Sequence, residues 1–234
     1  MNQMATTNAV QSAASFAPFP AWQWQIPEHF NIGVACTDRH LDSANSQAIA
    51  MIVEDDTLGT SQITFAELSQ RTSRFAQVLR DLGVSAGERV LIRLPNCLDY
   101  PTAFLGAMKT GAISVPTSTL LTAEEVAYLA KDSGAKVLVT DKAAWHSLRE
   151  SLTADTGLAY VLLSGEGEFD SLAGMHVLDL SEALEGIQQW QAPHPTKAND
   201  PAYLVYTSGT TGYPKGVLHA HRSLLGRMPA SQYW

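Results

Sequence analysis

Cysteine is almost absent. Of 234 residues only Cys36 and Cys97 carry a thiol, far apart and in no metal-ligand spacing. A disulfide framework and a Cys-rich metal site are excluded, and two idle thiols suit a reducing compartment. Basic residues are few: 15 Lys and Arg stand against 23 Asp and Glu, a net charge of −8. That balance argues against a general nucleic-acid or membrane-surface binder, but not against a small anion gripped by local dipoles. No lysine or arginine precedes Arg39, so there is no n-region of a secretory signal and no Arg-rich transit peptide. No apolar run approaches the ~20 residues a bilayer span needs. The expected location is the cytoplasm. Gly-x-Ser-x-Gly is also missing, and no Ser-His-Asp arrangement can be argued.

What is present is an ordinary apolar share of 45%, enough for one large or two small domains. Residues 1–25 read as a mobile tail, rich in Ala, Ser, Thr, Asn and Gln to about Pro20. Residues 26–234 form the folded part. Trp22, Trp24, Ile26 and Phe30 supply the first large apolar groups, an arm laid on the domain surface. Asp38, Arg39 and His40 read as a solvated helix end. Ala48–Val53 and Gln62–Thr64 read as a strand and its return. Thr64 with Glu67 forms a capping box. The helix it opens has Leu68, Phe75, Leu79 and Leu82 on one face and stops at Gly83, with Val84 making the accompanying apolar contact.

Arg89–Leu94 is a strand, and Asn96 is expected to cap a helix running to Thr110. Ala112–Val115 is the next strand. A second capping box, Thr122 with Glu125, opens a helix to Gly134, followed by strands at Lys136–Thr140 and Ala159–Leu163. Such alternation predicts an α/β fold, a mostly parallel sheet flanked by helices. From Asp141 to Lys197 glycines loosen the pattern, and loops around short strands are expected. Trp145, His146 and Trp190 read as packing residues, and Pro193-His194-Pro195 as a linker.

The most informative stretch follows. Ala202–Tyr206 is a short β-type run, and Val217-Leu218-His219 resumes one. Between them Thr207-Ser208-Gly209-Thr210-Thr211-Gly212-Tyr213-Pro214-Lys215-Gly216 holds four Ser/Thr hydroxyls, three glycines and one lysine. Glycines let backbone N–H groups converge on phosphate oxygens. The hydroxyls add donors, and Lys215 adds a point charge. This is not a Walker A loop, because Lys215 follows Pro214 and precedes Gly216. A plain hairpin needs two to five loop residues and one or two glycines. A phosphate-binding loop between two β-strands near the C-terminus is therefore expected.

The stretch resembles the signature Tyr-Thr-Ser-Gly-Thr-Thr-Gly-x-Pro-Lys-Gly of the adenylate-forming superfamily, which includes acyl-CoA synthetases, amino-acid adenylation domains and luciferases. Tyr213 fills the variable place. Phe30–His40 and Leu105–Ala112 resemble segments found earlier in the same families. The resemblance implies a carboxylic acid–AMP ligase of acyl-CoA synthetase type. The acid attacks the α-phosphorus of ATP and releases pyrophosphate, and coenzyme A then takes the acyl group. It implies ATP, Mg2+ and coenzyme A as cofactors or co-substrates. Thr207, Ser208, Gly209, Thr210, Thr211, Gly212 and Lys215 would bind the nucleotide's phosphates, Lys215 with a catalytic role. It further implies that residues for adenine, ribose, magnesium and carboxylate lie beyond Trp234, so the chain is expected to be an N-terminal part, inactive alone.

Two other readings stay open at this point: an amino-acid adenylation domain, and a non-catalytic nucleotide-binding or interaction module. His219 and His221 alternate and could share a strand face, but no third ligand accompanies them, and no protein metal site is expected.

Overall fold

The computed structural model describes residues 23–42, 44–55, 59–207 and 213–233. In chain order the elements are α1 (Ile32–Cys36), β1 (Ile49–Asp55), β2 (Gly59–Thr64), α2 (Phe65–Asp81), β3 (Arg89–Arg93) and α3 (Asp99–Lys109). Then come β4 (Ile113–Pro116), α4 (Ala123–Ser133), β5 (Ala135–Asp141), α5 (Lys142–Leu148), β6 (Tyr160–Ser164) and β7 (His176–Asp179). The last are α6 (Leu180–Gly186), β8 (Pro201–Thr207), β9 (Lys215–Ala220) and α7 (Met228–Tyr233). Strands β1 and β2 make a hairpin of their own, and the other seven form one sheet ordered β7-β6-β5-β3-β4-β8-β9. Every neighbouring pair in that sheet is parallel except β8 and β9. The mostly parallel α/β architecture is the one the sequence predicts.

The central strands are apolar on both sides because helices cover both sheet faces. Val90, Ile92, Val137, Val139 and Leu162 point to one face, against Phe75 and Leu79 of α2, Ala103 and Ala107 of α3, and Leu180 of α6. Their neighbours Leu91, Leu138, Val161 and Leu163 point to the other, against Val126 and Leu129 of α4 and Trp145 and Leu148 of α5. Each large apolar side chain buried this way contributes about 1.5–3 kcal/mol.

Both capping boxes form. Thr64 and Thr122 accept from the N–H groups of Glu67 and Glu125, whose carboxylates reach back to the cap N–H. The end of α2 is the expected stop: Val84 N–H bonds the Leu79 carbonyl and Gly83 N–H the Arg80 carbonyl. Gly83 sits at φ 71°, the left-handed conformation this turn requires.

Four expectations are corrected. Asn96 does not cap α3; the helix begins at Asp99, and Leu98 in the cap position makes no side-chain bond. Pro101, third in the helix, has no N–H for a cap to satisfy. The 141–197 stretch is more regular than loops around short strands. Asp141 caps α5 by accepting from Ala144 N–H at 2.8 Å, and Asp179 caps α6 by accepting from Glu182 N–H at 2.9 Å. The 193–195 linker is bonded to the body, with His194 N–H on the Lys109 carbonyl at 2.7 Å. Asp38 is not solvated but turned inward onto Lys109; Arg39 is exposed and His40 stacks on Phe65.

Trp145 is buried and donates Nε1–H to the Asp170 carbonyl. Trp190, read as a packing residue, remains 39% exposed.

Candidate functional site

Strand β8 runs parallel to β4, so its carboxyl end emerges on the same sheet edge as those of β3, β4 and β5. That edge is where open α/β sheets bind their ligands. The return strand β9 pairs with β8 from Thr207↔Lys215 through Tyr206↔Gly216 and Val205↔Val217 to Leu204↔Leu218. Thr207 and Lys215 therefore face each other across the last rung of the ladder, both exposed. Ser208, Gly209, Thr210, Thr211 and Gly212 lie outside the described residues. The structure brings together the first and last of the sequence-selected residues at the mouth of one connection between two strands.

Helix α4 stands beside that mouth. Tyr206 donates its hydroxyl to Asp132 Oδ2 at 2.6 Å. Burial, then the bond to Asp132 and its negative charge, push the Tyr206 hydroxyl far above the ordinary phenol range. Tyr128, one turn before Asp132, stacks on Tyr213 with ring centroids 4.7 Å apart. Its hydroxyl donates to the Pro214 carbonyl at 3.4 Å. A cleft of about 460 Å³ opens at this edge between Tyr100, Pro116, Thr117, Leu121, Val205, Tyr206 and Pro214. A second, of about 530 Å³, lies between α4 and the return segment, walled by Leu121, Tyr128, Leu129, Tyr213 and Pro214. A larger cleft, about 730 Å³ between the Asp38–Gln47 segment and α2, is lined by none of the loop's residues.

Arg93, at the end of β3, holds the segment that forms one wall of the first cleft. Its guanidinium donates to the Thr119 and Leu121 carbonyls and lies 3.9 Å from Asp141 Oδ2. It thereby ties down the segment after β4. A charged residue ending the run Val90-Leu91-Ile92 was a usable signal in the sequence, whereas nothing local marked Tyr128 or Asp132.

The two C-terminal histidines separate. His219 stays on β9 and stacks on Tyr203, with centroids 4.6 Å apart. His221 falls in the turn beyond, fully buried, its Nδ1 accepting from Ile32 N–H at 3.1 Å. Burial pushes its imidazole down to about 4. Among the described residues no group of three or more His, Cys, Asp or Glu is placed to hold a metal ion. No described helix is long and apolar enough to cross a membrane.

The chain belongs to the AMP-binding enzyme family, whose sequence model matches residues 40–233. Among curated relatives it is 32% identical to a benzoate–CoA ligase of Thauera aromatica over 202 residues, covering 86% of this chain and 36% of that protein. It is 34% identical to an acetyl-coenzyme A synthetase of Rhodobacter capsulatus over 208 residues, covering 84% and 32%. Of solved structures, an anthranilate CoA ligase in complex with anthranoyl-AMP superposes with a TM-score of 0.75 at 27% identity, over 89% of this chain and 38% of that one. An acyl-CoA synthetase of Brucella canis gives 0.73 at 27%, over 85% and 34%. The chain thus spans about a third of the length of these relatives.

Proposed function

We propose that this chain forms part of a carboxylic acid–AMP ligase of acyl-CoA synthetase type. The observation that carries the reading is the cross-strand pairing of Thr207 with Lys215 in a chain whose family model covers most of its length. Magnesium–ATP, a carboxylic acid and coenzyme A are the proposed substrates. The relatives named for benzoate, anthranilate and acetate favour aromatic or aliphatic acids over amino acids. Two unbridged thiols, Cys36 and Cys97, fit a cytoplasmic enzyme.

In this reading the acid's carboxylate oxygen attacks the α-phosphorus, the bond to the bridging oxygen breaks, and pyrophosphate leaves. The coenzyme A thiol, losing its proton, then attacks the acyl carbon and AMP departs. The substrate carboxylate is itself the nucleophile, so the protein contributes positioning and charge stabilisation. Lys215 and the hydroxyl of Thr207, with Ser208, Gly209, Thr210, Thr211 and Gly212 between them, hold the β- and γ-phosphates. Lys215 is the residue assigned a catalytic role, offsetting charge that grows on the departing pyrophosphate.

Residues 1–25 are proposed as a tail outside this unit and 26–234 as the N-terminal part of the adenylation domain. The 234 residues alone are expected to be inactive. The experiment is acid-dependent pyrophosphate release, run with the protein carrying its complete adenylation region and with residues 1–234 alone. Release by the former in the presence of a carboxylic acid supports the proposal. No release with aliphatic, aromatic or amino acids refutes the ligase, and release by residues 1–234 refutes the need for a further part.

A further inference from the structure

We infer that Asp132 and Tyr128 of α4 are positioning residues for the proposed phosphate site, holding Thr207 and Lys215 in place through Tyr206 on one stem and Tyr213–Pro214 on the other. The inference rests on the reading of that connection as the holder of ATP's phosphates.

The need for a brace follows from the ladder. Strand β8 is registered with its parallel neighbour β4 at a single rung, Ser114↔Tyr203. Beyond it, among the described residues, the ladder of Leu204, Val205, Tyr206 and Thr207 is with β9 alone, and no described strand lies on the far side of β9. A two-stranded ribbon is marginal by itself, yet this ribbon ends in the two residues assigned to phosphate. Leu204 and Tyr206 pack on the core of the sheet face that α4 covers, and helix α4 adds polar and aromatic contacts closer to the stem's end. It is fixed by its Thr122–Glu125 capping box and by Val126, Leu129 and Ala130 in the core. From that anchored helix Tyr128 and Asp132 project four residues apart, on one stripe.

The two contacts are complementary. Asp132 fixes the outgoing strand at Tyr206, next to Thr207. Tyr128 fixes the return at Tyr213 and Pro214, next to Lys215. With its affinity for the proton raised by burial and by Asp132, Tyr206 remains a donor at working pH. Asp132 is itself exposed, so its bond adds little to global stability while setting where the stem points. Misplacing a group by about 1 Å can cost on the order of 100-fold in rate.

The test uses Asp132→Ala, Asp132→Asn and Tyr128→Leu in the protein carrying its complete adenylation region. Amide hydrogen exchange is followed in peptides covering 204–217 and in peptides from β3 and β5. In Asp132→Ala and Tyr128→Leu, exchange should quicken in the stem peptide and stay unchanged in the core strands. Adenylation should slow by up to about 100-fold, with the KM for ATP raised. The KM for the acid, and thioester formation from preformed acyl-adenylate, should hold. Asp132→Asn keeps an acceptor for Tyr206 and should recover most of the ATP affinity. Unchanged stem exchange, or an equal loss in both half-reactions, overturns the inference. Wild-type protein that binds no magnesium–ATP overturns the phosphate reading instead, and the exchange data then judge the brace separately.

Discussion

Lys109 Nζ lies 2.5 Å from Asp38 Oδ1, with the lysine side chain only 1% exposed and the aspartate 22%. The ammonium also donates to Ser73 Oγ at 3.0 Å and to the Ser69 carbonyl at 3.3 Å. Burial lowers the affinity of Lys109 for its proton, and Asp38 partly restores it. The pair pins the turn after α1 to α2 and α3.

Removing the carboxylate should be worse than removing the whole pair. Asp38→Ala leaves a buried ammonium facing only neutral acceptors, and a loss of about 3–5 kcal/mol is expected. Asp38→Ala with Lys109→Met removes the charge as well and should recover much of that loss. Urea unfolding of both variants checks the order. A single-variant loss below about 1 kcal/mol would place the pair among ordinary surface bridges.

His221 should make stability depend on acid. Its folded value of about 4 lies below the ordinary 6.5, so the unfolded chain takes up the proton first. The stabilisation is complete above about 6.5 and declines as pH falls towards 4, below which this group adds no further slope. At about 1.36 kcal/mol per pH unit it amounts to about 3 kcal/mol at most. His221→Asn, which offers Ile32 N–H another acceptor, should flatten that part of the stability–pH curve. An unchanged slope between pH 4 and 6.5 would assign the dependence to other groups.

Lys215→Ala should separate the two half-reactions of the proposed enzyme. Adenylation should slow by roughly 100- to 1,000-fold, the cost of losing one good charge-stabilising donor, and by a similar factor for every acid. Thioester formation from synthetic acyl-adenylate and coenzyme A should be nearly unaffected, because pyrophosphate has already left. An equal loss in both would show that Lys215 serves the fold or the thiol site. A loss that varied strongly with the acid would place it in the acyl pocket.

Gly106 of α3 lies tight against α2. A Cβ there would sit 2.8 Å from the Thr72 carbonyl oxygen and 2.9 Å from Phe75 Cδ1. Gly106→Ala improves helix propensity by about 1 kcal/mol, but overpacking of this kind commonly costs about 1–3 kcal/mol. With Thr72 backbone and a fully buried Phe75 unable to yield freely, net destabilisation is expected. Thermal unfolding decides it, and a raised melting temperature would show that the helices separate at no cost.

Sequence alone determined what is set by near neighbours along the chain. Both capping boxes, the Gly83 stop and the central strands follow from bonds and periodicities spanning a few residues, and so were legible. Asp179 followed by Glu182 offered the same kind of signal for α6, hidden by the glycines before it. The Thr207–Lys215 stretch was legible as a connection between two strands, because short β-type runs flank it on both sides.

Only the tertiary structure decided which distant groups meet. Nothing around Asp38 shows that a lysine 71 positions away needs a counter-ion, because that need arises from burying the lysine in α3. His221 looked like a partner for His219 until the strand ended between them and burial turned its ring towards Ile32. Tyr128 and Asp132 face the β8–β9 ribbon only because α4 crosses the sheet and returns its chain through β5. Pairing across 74 residues, as for Tyr206 and Asp132, is set by how the layers pack, and no local propensity encodes it.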